Sequence, residues 1–308
     1  MRLAAIDLGT NSTKMTVADA TDGTLAVVQE ASEVTRLGEG VDASGALSED
    51  ARARTLAVVS RFAAEARALG AEEIVCAGTS ALRDASNGPQ FIARVREETG
   101  LSLEIITGER EARLAYGAVV SDASLGVPPG YALLVFDIGG GSTELILGGA
   151  GGMERRLSLD MGAVRVTERF LHSDPPSAPQ IEDAKAFIQA QLDTFAVPEA
   201  RPIIVGIGGT AVNIGAVTVG GQASAPDSVH AVLLTDSDVD KALTRFQGVP
   251  LAERRHIPGL EPKRADVIIG GALILQSLLR HVDSDRFLIS ARGLRYGLLA
   301  ERAARPAP

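Results

Sequence analysis

Leu3-Ala-Ala-Ile-Asp7-Leu-Gly9-Thr10-Asn11-Ser12-Thr13 decides the fold, because it returns as Leu133-Leu-Val-Phe-Asp137-Ile-Gly139-Gly140-Gly141-Ser142-Thr143. The aspartate, the first glycine, the serine and the threonine are each displaced by 130 residues. Each copy reads as an apolar strand ending in Asp, a Gly-rich turn, and a second strand (Lys14 to Asp19; Glu144 to Leu147). No helical period follows the glycines, so the unit is a β-hairpin. An echo of this kind implies two similar domains, each opening with a hairpin whose turn faces a common cleft.

The sequence around the copies fits an α/β chain. A third strand region to about Arg36 precedes helices at about 48–69, 89–99 and 109–120, with strands at 74–77 and 103–106 between them. Ser121 to Gly130, with Pro128-Pro129-Gly130, reads as a linker. Beyond it, strands are expected near 132–147, 154–159, 202–206 and 285–290, and helices near 163–171, 179–194, 210–217, 237–245, 263–280 and 292–304. The longest apolar run, Val267 to Leu279, lies between arginines and is too short for a bilayer, so it reads as a core helix.

Glycine turns let main-chain N–H groups converge on an oxyanion, and neighbouring hydroxyls add donors. Three are present: Gly9 to Thr13, Gly139 to Thr143, and Gly206-Ile-Gly208-Gly209-Thr210. A single such turn is ordinarily a tight turn and nothing more, but two in register plus a third point to phosphate. The P-loop pattern is absent; the third turn resembles a dinucleotide fingerprint, but no clear second parallel strand ending in an acid follows it, which makes a nicotinamide site a poor reading.

The motifs then converge on one family. Asp7 to Ser12 and Asp137 to Glu144 resemble the exopolyphosphatase/guanosine pentaphosphate phosphohydrolase family of the actin-like ATPase, sugar kinase and heat-shock superfamily. The resemblance continues through Gly78-Thr-Ser-Ala-Leu-Arg83 with Asn87, Ile106-Thr-Gly-Glu-Arg-Glu-Ala-Arg-Leu114, Met161 to Phe170, Pro175-Pro-Ser177, Arg264 to Leu279 and Ser290 to Gly297. It implies two ribonuclease H-like domains with mixed five-stranded sheets around an interdomain cleft. The expected boundaries are 1–122 with a returning helix at about 292–308, and 123–291.

The resemblance also implies roles. Glu111 becomes the base that activates water; from the residues alone, either the helix dipole favours an ionised Glu111 as a base, or Glu109 and Glu111 are simply helix-start acids on a solvated face. Arg83 is similar to the family's phosphate-binding arginine, whose fork clamps phosphate. Phosphate contacts are expected from Gly9, Thr10, Asn11, Ser12, Gly139, Gly140, Gly141, Ser142, Thr143, Gly208, Gly209 and Thr210. Asp137 and Glu144, with Asp7, are the expected Mg²⁺ ligands, against a simpler role in bonding the turn amides. Arg264, Arg292 and Arg295 either line a polyanion path or serve helix starts and surface.

Departures matter too. The chain lacks the helical His-Asp domain of longer members, so a channel for the polymer is either missing or formed across a homodimer. Tyr296 stands where the family usually has glutamate, and Glu109-Arg110 varies from the commonest pattern, a candidate for tuning substrate choice.

Composition sets outer limits. Of 308 residues, 45% are hydrophobic and 22% charged, with 33 glycines, which is globular rather than disordered. A net charge of −9 opposes a nucleic-acid polymer or anionic membrane as partner. One cysteine, Cys76, in an apolar run, and an N-terminus interrupted by Asp7, read as a cytoplasmic protein. The histidines at 172, 230, 256 and 281 have neither metal-site nor triad spacing. The combined expectation is Mg²⁺-dependent removal of the terminal phosphate of polyphosphate. The alternatives are guanosine pentaphosphate as substrate, an ATP-dependent kinase, or a nucleotide-binding regulator.

Overall fold

The computed structural model describes residues 1–21, 24–128, 130–149, 151–198, 201–221 and 226–304, with 226 and 227 described by backbone alone. Two compact units emerge. Unit 1 comprises residues 1–118 and 292–308, and unit 2 is the continuous stretch Val119–Ala291.

In chain order, the first part of unit 1 holds β1 (Arg2–Leu8), β2 (Ser12–Thr21), β3 (Thr24–Val34), α1 (Val41–Ser44), α2 (Glu49–Ala68) and β4 (Glu73–Gly78). These are followed by α3 (Ser80–Asp84), α4 (Gly88–Thr99), β5 (Leu103–Ile105) and α5 (Gly108–Val120). Unit 2 continues with β6 (Leu133–Ile138), β7 (Thr143–Gly149), β8 (Gly152–Leu159), α6 (Ala163–Phe170), α7 (Ala178–Leu192) and β9 (Ile203–Ile207). It ends with α8 (Gly208–Val219), β10 (Leu233–Thr235), α9 (Asp236–Gln247), α10 (Leu251–Arg254), α11 (Ile268–His281) and β11 (Arg286–Ile289). The chain then returns to unit 1 as α12 (Leu294–Ala303).

The sheet of unit 1 has the order β3-β2-β1-β4-β5. β1 pairs antiparallel with β2 and parallel with β4. As the central strand it is buried on both faces, and its alternation divides the core in two. Ala4, Ile6 and Leu8 pack with Phe62 of α2 and Phe91 of α4. Leu3 and Ala5 pack with Ile106, Leu114 and the α12 residues Leu294, Leu298 and Leu299. Helix α12 belongs to unit 1 and packs with α5 on one face of that sheet, against β1, β2 and β3.

The sheet of unit 2 repeats the plan in the order β10-β11-β9-β6-β7-β8, with β6–β7 antiparallel and β6–β9 parallel. It has six strands, which corrects the expectation of two five-stranded sheets. The extra strand is β10, whose three residues pair antiparallel with β11 at the edge. Three residues are too few to show an alternating pattern. Helix α11 is buried from Ile268 to Leu279 and forms the centre of the unit 2 core, as its apolar run implies. Among the described residues no helix is long and apolar enough to cross a membrane.

Candidate active site

Both echo sequences form hairpins closed by the same bond: Gly9 N–H donates to the Ser12 carbonyl at 3.0 Å, and Gly139 N–H to the Ser142 carbonyl at 3.0 Å. In unit 1 the turn is anchored by its carbonyls. That of Asn11 accepts the N–H groups of Thr35 (3.0 Å) and Arg36 (2.9 Å), and that of Thr10 accepts Gly38 N–H at 2.9 Å. Thr10, Asn11 and Ser12 are buried, and the side-chain Nδ2 of Asn11 has no hydrogen-bond partner among the described residues. A buried amide donor without an acceptor is costly in a folded protein, and an anion oxygen would satisfy it.

In unit 2 the turn is held by the start of α6. The Gly139 carbonyl accepts Ala163 N–H at 2.8 Å, and the Gly140 carbonyl accepts Val164 N–H at 2.9 Å. Arg165 Nε donates to the Gly141 carbonyl at 2.9 Å. The hydroxyls here serve the protein itself. Ser142 Oγ donates to Glu144 Oε1 at 2.7 Å, Thr143 donates to the Met161 carbonyl, and Thr210 Oγ1 donates to the Ile138 carbonyl at 3.0 Å. With carbonyls and hydroxyls so engaged, the main-chain amides are the groups this turn has to offer an anion.

The third glycine turn closes on the second. Gly208 has φ +82°, a conformation L side chains rarely adopt, and a Cβ there would stand 2.1 Å from Asp137 Oδ1. The Arg264 guanidinium lies over the Gly209 main chain, 2.4 Å from the place a Cβ would take, and its Nε is held by Glu261 Oε2 at 2.8 Å. Asp137 therefore rests on main chain and on no side chain at that contact.

Asp137 and Glu144 stand directly opposite each other on β6 and β7, which puts both carboxylates on one face of the sheet. Glu144 is buried, and its Oε1 also accepts Ser158 Oγ at 3.1 Å. Two hard oxygen donors suit Mg²⁺, which usually takes one or two carboxylates and completes its shell with phosphate and water. Accordingly, the lack of any group of three His, Cys, Asp or Glu among the described residues is compatible with such an ion. Asp7 differs, because its opposite residue on β2 is Lys14.

Arg83 and Glu111 meet directly. Arg83 ends the short helix α3, and Glu111 lies in the first turn of α5. Arg83 Nη1 donates to Glu111 Oε2 at 2.7 Å and to the Ile106 carbonyl at 3.0 Å. Both side chains are partly exposed, 22% and 15%. The Nε and Nη2 edges of Arg83 make no hydrogen bond among the described residues, so one nitrogen fixes the carboxylate and two remain to face a ligand. Asn87, in the motif that carries Arg83, bonds the Leu47 main chain through both its side-chain atoms.

Other residues singled out by sequence have structural partners. Arg295 Nη1 donates to the Met15 carbonyl at 2.8 Å and pairs with Glu30. Tyr296 is buried, with the Arg292 guanidinium 5.6 Å from its ring centroid. Arg110 joins Glu104 at 2.5 Å and Glu301 at 2.6 Å. His281 Nε2 bonds the Phe195 carbonyl. His230 lies near both Asp122 and Ser124, but Nδ1 accepts Ala291 N–H, which leaves Nε2 facing both Ser124 (2.7 Å) and Asp122 (3.2 Å). A nucleophile triad needs serine and acid on opposite nitrogens, so this is not one.

Arg165, Ser158 and the Ile106 carbonyl escape a sequence reading. Arg165 lies inside the quoted Met161 to Phe170 motif, so its signal was present; the other two are revealed only by strand pairing and by the fold of α3 onto α5.

Comparison with known proteins fits this geometry. The sequence model described as the Ppx/GppA phosphatase family matches residues 16–305. Exopolyphosphatase 2 of Mycobacterium tuberculosis is 35% identical over 294 residues, covering 91% of each chain. A guanosine-5'-triphosphate,3'-diphosphate pyrophosphatase of Vibrio cholerae is 31% identical over 97% of this chain, and the match spans 58% of that protein. Among solved structures, an Aquifex aeolicus PPX-GPPA enzyme is similar with a TM-score of 0.81 at 34% identity, covering 98% of this chain and 99% of that one. An exopolyphosphatase from Cytophaga hutchinsonii gives 0.85 at 25% identity over 98% of each.

Proposed function

We propose, from the premise that this chain belongs to the Ppx/GppA phosphatase family, that it is an exopolyphosphatase acting on the terminal phosphoanhydride of inorganic polyphosphate. The chain is a hydrolase of phosphoanhydrides, as its family is; the substrate and the residue roles are our reading.

The observation that carries the reading is the Arg83–Glu111 pair. Glu111, fixed at 2.7 Å by Arg83, takes a proton from water as the water oxygen forms its bond to the terminal phosphorus. The bridging P–O bond breaks, and the shortened chain leaves with its electron pair. Arg83 turns Nε and Nη2 toward the phosphate oxygens, a fork suited to two parallel bonds. Within unit 1 the amides of the Gly9–Ser12 turn and the Asn11 side chain are suited to phosphate oxygens, and within unit 2 the amides of the Gly139–Thr143 turn are. Thr143 and Thr210 keep the turns in shape, and Gly208 and Gly209 set Asp137 in place. Asp137 and Glu144 would hold Mg²⁺, with Asp7 the less suited ligand because it faces Lys14. When bound, the ion supplies charge to offset the phosphate oxygens. Most of the rate then comes from positioning and charge stabilisation, because the phosphoryl transition state is loose.

The test is Mg²⁺-dependent phosphate release from short-chain polyphosphate, long-chain polyphosphate and guanosine pentaphosphate. Glu111→Gln should lower kcat by roughly 10²–10⁴-fold while polyphosphate binding persists. A Gln variant with near-normal turnover would remove Glu111 from the role. The match to the Vibrio cholerae enzyme favours guanosine pentaphosphate as the second reading, and the preferred substrate in the same assay separates the two.

A further inference from the structure

Glu111 sits where a helix holds its residues least firmly. The first four N–H groups of a helix lack partners within it, so the first turn depends on outside contacts for its shape. Thr107 supplies some of these: its carbonyl accepts Glu111 N–H at 2.9 Å, and its hydroxyl accepts Arg110 N–H at 3.2 Å. The stronger brace comes from Arg110. Successive helical residues point about 100° apart, and Arg110 looks away from Arg83 toward two other elements. Its Nη1 bonds Glu104 of β5 and its Nη2 bonds Glu301 of α12.

Helix α12 meets the same region a second time, through its apolar face. Leu294, Leu298 and Leu299 share a cluster with Ile106 and Leu114, which flank Glu111 in sequence. Ile106 is also the residue whose carbonyl holds Arg83. At the crossing with α5, a Cβ on Gly297 would stand 2.3 Å from the Leu114 carbonyl, so the two backbones touch. Through Glu301 and through its leucines, α12 thus reaches residues beside the Arg83–Glu111 pair.

We propose that Arg110 is a positioning residue for the reaction, a cross-brace by which α12 and β5 fix the first turn of α5 and so the carboxylate of Glu111. Partly exposed ion pairs add little to stability, so their consequence here lies in geometry. A displacement of about 1 Å in a catalytic group costs up to about 10²-fold in rate. Both terminal nitrogens of Arg110 are tied to protein carboxylates, Glu104 and Glu301.

The proposal rests on Glu111 being the base, and the experiment separates the two. Steady-state kinetics on polyphosphate with Mg²⁺ would be measured for wild type, Glu111→Gln, Arg110→Met, Arg110→Lys and Glu301→Gln, with melting curves for each. Expected are a fall in kcat of about 10- to 100-fold for Arg110→Met with KM within about twofold, partial recovery in Arg110→Lys, and a smaller fall of about three- to tenfold in Glu301→Gln. If Arg110→Met fails to fold, Glu301→Gln decides, since it removes the charge from the tie to α12 without altering α5. A kcat within twofold of wild type in the folded variants overturns the brace. A change confined to KM also overturns it, by showing that Arg110 touches substrate. An active Glu111→Gln overturns the assignment of the base instead.

Discussion

Gly208 combines a left-handed backbone with a carboxylate against its Cα, and an alanine there meets both penalties at once. Gly208→Ala should lose about 1–3 kcal/mol of stability, read as a lower melting temperature, and lower turnover because Asp137 must move. Cys76 makes a different residue-scale prediction. Its thiol is pushed up to about 12, by burial first and by the nearby Asp7 second. A raised pKa means the folded chain keeps its proton where the unfolded thiol, ordinarily near 9.0, has lost it. This contribution to stability is complete below about pH 9 and is lost as pH rises toward 12. A water-soluble thiol reagent at pH 8 should label the native protein no faster than global unfolding exposes it. Residue identity was plain in sequence at such positions, but partnership was not. Arg83 and Glu111 lie 28 residues apart, and no local pattern announces that α3 and α5 set them within a hydrogen bond.

Helix α12 shows what elements add. Leu298 is buried against the sheet of unit 1, and Leu298→Ala should cost about 2–5 kcal/mol in denaturant unfolding. Arg254 of α10 is buried and donates to the carbonyls of Phe246, Val249 and Ala265 as well as to Asp174. Arg254→Met leaves those acceptors without their donor, and a loss of about 2–4 kcal/mol should appear in the same measurement. Long elements were legible in the sequence. The span read as a helix from about 48 to 69 is α2, Glu49–Ala68, with Ser48 accepting Ala51 N–H as its cap. The hairpins were legible because glycine, serine and aspartate recur at one spacing. Short elements were not: α3 has five residues and β10 three, lengths too short for a 3.6-residue or a two-residue period to repeat. Yet α3 carries Arg83, so a barely readable element bears a side chain proposed above for the chemistry.

At the scale of the whole molecule, unit 2 is one continuous stretch while unit 1 is assembled from two separated ones. A chain of residues 119–291 should therefore fold alone, giving a cooperative melt and a dispersed NMR spectrum. Residues 1–118 should not, because the face of Leu3 and Ala5 would be uncovered. Adding a peptide of residues 292–304 should restore its structure, and a folded 1–118 fragment that ignores the peptide would refute this. The repeated architecture was readable from two hairpins, whereas the sixth strand was not. The pairing of one distant helix with one sheet face is a tertiary fact that only the apolar pattern of α12 foreshadows.

The return of α12 also sets a clock on biosynthesis. A ribosome delivers residues 119–291 after the two helices that carry Arg83 and Glu111 and before α12, which packs on Ile106 and Leu114. At roughly 5–20 residues per second, that interval lasts on the order of 10–35 s. During it the glycine turns of unit 2 are already synthesised, while the first turn of α5 lacks the contacts that α12 makes with Arg110, Ile106 and Leu114. If unit 1 needs α12 to fold, as predicted above, a chain released before residue 304 carries every residue proposed for the chemistry and should show no turnover.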